Sequence, residues 1–217
     1  GNVSVDGGTI KLDGNYPIGT ANVALGDGAL DAITTGSNDV AIGSNALTDN
    51  TTGINNIGIG GAALGDNITG SSNTAVGVTA LRNSTTASNN TAIGYRALNA
   101  NTTASNNTAI GQAALEENTT GTRNVATGSL ALDANTTGSY NTSMGHASAS
   151  SNINGVYNSA FGDAALNQNT SGSNNTAIGK SALYANTTAS NNTAVGYNSL
   201  TANTTGASNT AVGYNAG

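Results

Sequence analysis

Large aliphatic side chains return along this chain at two fixed offsets from a glycine, and the glycine itself returns every 17 residues. It stands at Gly26, Gly43, Gly60, Gly77, Gly94, Gly111, Gly128, Gly145, Gly162, Gly179, Gly196 and Gly213, with no insertion or deletion between them. The residue before it is Leu25, Ile42, Ile59, Val76, Ile93, Ile110, Ile178, Val195 or Val212, with Thr127, Met144 and Phe161 as departures. Four residues after it comes a leucine, from Leu30, Leu47 and Leu64 through to Leu166, Leu183 and Leu200, with Ala149 as the one mid-chain exception. Alanine precedes both positions in most units, as at Ala41, Ala75 and Ala92, and at Ala46, Ala63 and Ala80. The polar remainder reads Asn-Thr-Thr-Gly or Asn-Thr-Thr-Ala, as at Asn50–Gly53 and Asn101–Ala104, and an asparagine (Asn56, Asn73, Asn90, Asn107) closes almost every unit.

A period this strict predicts a repeat architecture. Seventeen residues are too few for the helix pair of known helical repeats, but they suffice for one coil of a solenoid. Each coil is expected to hold two short strands, one over Asn-Thr-Ala-Ile and a second around Ala-Leu or Thr-Thr. Gly and Asn supply the corners, where positive φ is needed. Coils stacked about 4.8 Å apart would put every column in a ladder and make twelve repeats a rod of roughly 55 Å. Asparagine ladders at the corners would hydrogen-bond along the stack. The fold class expected is therefore all-β, a parallel β-solenoid with 17-residue coils over residues 22–217. Residues 1–21 lack the repeat; Val3, Val5, Ile10 and Leu12 alternate there, and Pro17 is the only proline, so a strand-forming lead-in or cap is expected.

Both apolar columns are expected to fill the core, and two large side chains per coil make it thin. Burying one is worth roughly 1.5–3 kcal/mol, against roughly 1–2 kcal/mol of backbone entropy for every residue ordered. An apolar seam shared between chains would relieve the deficit, which predicts self-association.

Composition narrows the functions. Only 7% of residues are charged and 4% aromatic, and Cys and Trp are absent. Of the net charge of −6, the five basic residues, Lys11, Arg82, Arg96, Arg123 and Lys180, lie far apart, so the basic patch of a nucleic-acid binder is not expected. No apolar run approaches the ~20 residues of a membrane span. Without cysteine there are no disulfides or thiolate metal sites, which fits a protein working outside the cell without staples. The chain opens at Gly1 without Met and closes on Tyr214–Gly217, the start of another unit, so a piece of a longer protein is expected.

Candidate chemistry is sparse. His146 is the only histidine, and a surface role is expected for it rather than catalysis or metal binding. Asp27, Asp49, Asp66 and Asp163 do not follow the repeat of calcium β-rolls. No Gly-x-Ser-x-Gly elbow stands out among the serines. Neither catalytic residues nor a cofactor or metal is predicted. Tyr95, Tyr197 and Tyr214 share one column, Tyr140 and Tyr157 another, and such amphipathic rings could stack on sugars. Thr35, Thr52, Thr69, Thr86, Thr103, Thr120 and Thr137 form a rank that raises ice binding as an alternative, although the two residues of a Thr-Thr pair are expected to point to opposite faces of a strand.

The Asn-Thr-Ala-Ile/Val-Gly blocks at Asn73–Gly77, Asn90–Gly94, Asn107–Gly111, Asn175–Gly179, Asn192–Gly196 and Asn209–Gly213 resemble the head repeats of YadA-like trimeric autotransporter adhesins. The resemblance covers about residues 22–217. It implies a left-handed parallel β-roll and a homotrimer around a common axis. The unit is longer here, with the Asn-Thr-Thr-Gly segment added to one loop. In that respect, and in the opening Gly7 to Gly26, the chain looks more like phage tail-fibre proteins. An extracellular fibre segment that attaches to a host surface receptor, a glycan among the candidates, is what these resemblances imply, on a bacterial surface or a virion. One coil, His146–Asn158, is irregular: Ala149 leaves space, which Ile153, Val156 and Phe161 are expected to fill while the register holds.

Overall fold

The computed structural model describes residues 21–217; the lead-in expected over residues 1–21 lies, apart from its last residue, outside the described residues. The described chain is an all-β, parallel β-solenoid with one strand per 17-residue coil. In chain order the strands are β1 (Val23–Leu25), β2 (Val40–Ile42), β3 (Ile57–Ile59), β4 (Thr74–Val76), β5 (Thr91–Ile93), β6 (Thr108–Ile110), β7 (Val125–Thr127), β8 (Thr142–Met144), β9 (Ser159–Phe161), β10 (Thr176–Ile178), β11 (Thr193–Val195) and β12 (Thr210–Val212). They form one sheet in sequence order. Each residue pairs with its counterpart one coil on, as Thr91 with Thr108, Ala92 with Ala109 and Ile93 with Ile110.

The second strand expected in each coil is absent. Around Ala-Leu the backbone turns left-handed twice, at Arg96 (φ 59) and Leu98 (φ 52) in the fifth coil, which breaks the extended geometry a strand requires. Coil-to-coil hydrogen bonding continues there nonetheless: the Asn45 amide donates to Asp27 O at 2.8 Å and Leu47 to Ala63 O at 3.0 Å. Around Thr-Thr two amides share one acceptor, Thr51 and Thr52 both donating to Ile68 O. The ladder thus runs round most of the coil, which satisfies backbone groups that would otherwise be orphaned.

The repeated glycine follows from this stacking. Gly111 sits at φ +137, and a Cβ there would lie 2.5 Å from the carbonyl carbon and oxygen of Gly128 in the next coil. No side chain fits, so the column cannot vary.

The core differs from the one expected. The middle residue of each strand and the Ala-Leu pair point inward, fully buried in the inner coils, as at Ala41, Ala46 and Leu47, and partly buried at the ends, as at Ala24 and Leu200. Side chains alternate along a strand, so when the middle alanine faces in, the first and third residues face out. The aliphatic column before the glycine is therefore on the outside: Ile42 is 36% and Ile93 39% exposed.

Asparagine takes the place of the missing aliphatics, inside the coil and not at its corners. In one buried ladder each asparagine amide N–H bonds the side chain below, as Asn73 N to Asn56 Oδ1 at 3.1 Å, and its own Nδ2 reaches across the coil, as Asn56 Nδ2 to Gly70 O at 2.9 Å. In a second, Asn67 Nδ2 donates to Asn50 Oδ1 at 2.9 Å and also to Gly70 O at 3.0 Å. The two ladders converge on one carbonyl, so a polar interior is nearly fully satisfied. Asp39 occupies the first ladder in the second coil and is fully buried; it accepts from Asn56 N at 2.7 Å and Asn50 Nδ2 at 3.0 Å. Burial raises its pKa above the usual carboxylate value, against those hydrogen bonds, which lower it.

The irregular coil keeps its register, with β8 and β9 paired like their neighbours. The expected filling residues are not what completes it. Ile153 is 47% exposed, Phe161 is the third residue of its strand and lies on the outer face, and Val156 is half-buried in a surface column. Inside, Ser143 and Ser148 replace two alanines; Ser143 Oγ bonds Ser148 Oγ and Ser148 O, and Ser148 Oγ donates to Gly145 O. Hydroxyls, not extra hydrocarbon, accompany the lost leucine.

Candidate interaction surface

Twelve strands present their first and third residues on one side of the solenoid, which makes a ribbon two side chains wide. The rank before the glycine is Leu25, Ile42, Ile59, Val76, Ile93, Ile110, Thr127, Met144, Phe161, Ile178, Val195 and Val212; its companion is threonine in most rungs, as at Thr74, Thr91 and Thr108. The first three rungs are aliphatic in both ranks, through Val23, Val40 and Ile57. No residue of either rank is charged. At about 4.8 Å per rung the ribbon is roughly 55 Å long. A regular apolar face of that length is the feature of this molecule that most needs an explanation. The sequence held its signal: alanine, the smallest residue of Thr-Ala-Ile, sits between two β-branched neighbours, and the small residue is the one that faces the packed interior.

The residues singled out from sequence fall elsewhere. His146 is on the surface, in the column that follows the glycine, with Nδ1 3.2 Å from Asp163 Oδ1; Lys180 Nζ lies 3.5 Å from Asp163 Oδ2. The 17-residue spacing of these three residues places them on successive coils, an acidic neighbour for His146 that a local scan of sequence does not find. All three are exposed, so the pairs are screened and weak. Asp27 and Asp49 are exposed and Asp66 half-buried, and among the described residues no three acidic or histidine side chains converge on a metal site. Arg96 pairs with Glu116. Asp133 is half-buried; burial raises its pKa, and Glu116 and Glu117 add to the rise.

Four of the tyrosines stack in pairs, whereas Tyr95, with Val78 and Gln112 in its column on the adjacent coils, is 53% exposed and, among the described residues, unstacked. Tyr140 and Tyr157 have ring centroids 4.9 Å apart and planes 19° from parallel; Tyr197 and Tyr214 are 5.2 Å apart at 12°. Arg123 lies over the Tyr140 ring at 5.3 Å and its Nη1 donates to the Tyr140 hydroxyl at 2.6 Å. Rings stacked along the axis turn their faces to the next coil, so within these two pairs the facing sides are not an open platform on which a sugar would stack.

The Thr-Thr segment is a loop, so its two side chains do not divide between core and solvent. Thr51 Oγ1 donates to Ile68 O at 2.9 Å, and Thr52 is exposed. No helix among the described residues is long and apolar enough to cross a membrane. Comparison with family models, curated proteins and solved structures finds no match to the chain.

Proposed function

We propose that this chain, with two further copies of itself, forms part of an extracellular attachment fibre, a bacterial adhesin head or a virion tail fibre that engages a host surface receptor. Its role in this reading is structural and adhesive, without catalysis or cofactor. The observation that carries the proposal is the uncharged ribbon of outward Ile and Val running the described length of the solenoid.

Three arguments support a copy of the same chain as its partner. A second identical ribbon matches the rung spacing along the whole length, which an unrelated surface would not. The ribbon lacks charge although the chain carries −6, so contact there avoids like-charge repulsion. Its area, roughly 55 Å by 13 Å or about 700 Å², is close to the ~800 Å² per partner of a stable interface. The asymmetry of the ranks favours three chains over a parallel pair. Two parallel ribbons face to face set each threonine rank against the partner's aliphatic rank. Three chains can instead turn their aliphatic ranks toward a common axis and leave threonine at the rim. Light scattering should give three times 21.0 kDa. A one-chain or two-chain mass at micromolar concentration would refute the proposal; two chains would point to an antiparallel pair.

One observation favours a second reading, ice binding. Rungs β4 to β6 and β10 to β12 set threonine beside Val or Ile on a single face, a regular array that the Thr-Thr loop does not supply. Thermal hysteresis by a monomeric protein would support it over the fibre.

A further inference from the structure

We infer that the ribbon is keyed: Thr127, with Met144 and Phe161 on the two coils after it, fixes the axial register of associated chains. The inference rests on the trimeric reading above. A ladder of identical rungs about 4.8 Å apart superposes on itself after a shift of one coil. Such a shift leaves eleven of the twelve described rungs opposed, so apolar burial alone barely resists it. Only positions that break the repeat can make the slip costly.

Those breaks are concentrated in β7 to β9. Of the twelve residues in the rank before the glycine, Thr127 alone carries a hydroxyl. Its rung is also inverted, Val125-Ala126-Thr127, where neighbouring β6 reads Thr108-Ala109-Ile110. The Thr127 hydroxyl makes no hydrogen bond to another group of its own chain among the described residues. With chains in register, three such hydroxyls meet at the axis and can bond one another. One coil out of register, each is buried against Ile110, which has no polar side-chain atom, or Met144, whose thioether is only a weak acceptor, and a buried hydroxyl without a good partner is heavily penalised. A single polar residue in an apolar seam sets register in coiled coils by the same logic. Met144 and Phe161 add shape: Phe161 is larger than its Val and Ile counterparts and Met144 is longer and unbranched, so a shifted ribbon sets the Phe161 ring against a different shape and leaves space at its former level.

Register can be read by disulfide formation, because the chain has no cysteine of its own. Two single-cysteine chains, Ile178→Cys and Val195→Cys, are refolded together in equal amounts and oxidised, and the linked peptides are identified by mass spectrometry. A disulfide needs Cβ atoms about 3.5–4.5 Å apart, so a one-coil offset appears as a 178–195 link. In the parent background, same-site links are expected, with the mixed link at background. Adding Thr127→Val should raise the mixed link about tenfold. Adding Met144→Ile and Phe161→Ile as well should make mixed and same-site links comparable, with the mass still at three chains. The valine and isoleucines introduced already occur elsewhere in the same rank, so the coil accommodates them. An abundant mixed link in the parent, or same-site links alone in the triple variant, overturns the key while leaving the trimer standing. A mass of one or two chains overturns the trimer itself.

Discussion

Ser84 interrupts the second asparagine ladder, and replacing it with asparagine should stabilise the protein. On either side the ladder is continuous: Asn67 Nδ2 reaches Asn50 Oδ1, Asn118 reaches Asn101, and Asn135 reaches Asn118, at 2.8–3.0 Å. At Ser84 the shorter side chain does not span the gap. Asn67 Oδ1 and Ser84 Oγ are both buried without a partner, and Asn101 Nδ2 keeps only its bond to Ala104 O. Ser84→Asn supplies a donor to Asn67 Oδ1, a second donor contact to Ala87 O, and an acceptor for Asn101 Nδ2. Each hydrogen bond contributes a net ~0.5–1.5 kcal/mol, and ordering the longer side chain costs up to about 1 kcal/mol. The expected gain is therefore about 1–3 kcal/mol. Space is not limiting, because Asn101 and Asn186 occupy the same column with alanine three residues on, as Ser84 has Ala87. The measurement is the urea midpoint at fixed protein concentration, with amide exchange of residues 84–90 as a local readout that does not assume two-state unfolding. Asn118→Ser should produce a loss of similar size. A midpoint unchanged or lowered in Ser84→Asn would refute the view that the ladder stabilises this interior.

Three further outcomes follow from the core and the stack. Leu98→Asp places an unpaired carboxylate in a fully buried column and should cost more than about 4 kcal/mol; an unchanged urea midpoint would mean the column is not the core. Gly111→Ala forces a Cβ onto the Gly128 backbone at φ +137 and should cost about 3 kcal/mol or more, seen as a lowered melting temperature, whereas Gly61→Ala, where a Cβ meets nothing within 4 Å, should be near neutral. Asp39 has a folded-state pKa above its unfolded value, so its contribution is present in full below about 3.8 and is lost as pH rises through the folded value. Asp39→Asn should therefore raise the urea midpoint more at pH 7 than at pH 3, and an offset equal at both pH values would show that Asp39 does not titrate as its burial dictates.

The repeat made the solenoid, the parallel register and the buried Leu98 column legible, because a 17-residue period without insertions admits few other folds. Hydrophobicity was a poorer guide to which side faces in. Ile93 looked like core and Ala92 like filler, but strand alternation permits only one of them inside, and packing between coils selects the smaller. Asn56 and Asn50 looked like corner residues. Asn50 bonds Gly53 O three residues on, and its counterpart one coil later, Asn67, shares Gly70 O with Asn56, a convergence across coils that no local pattern announces. The second strand failed for a related reason: left-handed turns at residues such as Leu98 and Arg96 are not written in residue type, since neither favours positive φ on its own.

Each strand pairs only with the strands of the coils before and after it, and this has a mechanical consequence. Under tension applied at its ends, such a rod has no brace that spans several coils, so it yields by unspooling one coil at a time from an end. A released coil of 17 residues extends to about 58 Å in place of the ~4.8 Å it occupied in the stack. The slack gained is then about 50 Å per step, many times the axial length given up. A tether made this way lengthens under a sudden pull and dissipates work at each step, and the coils still stacked keep their ladders.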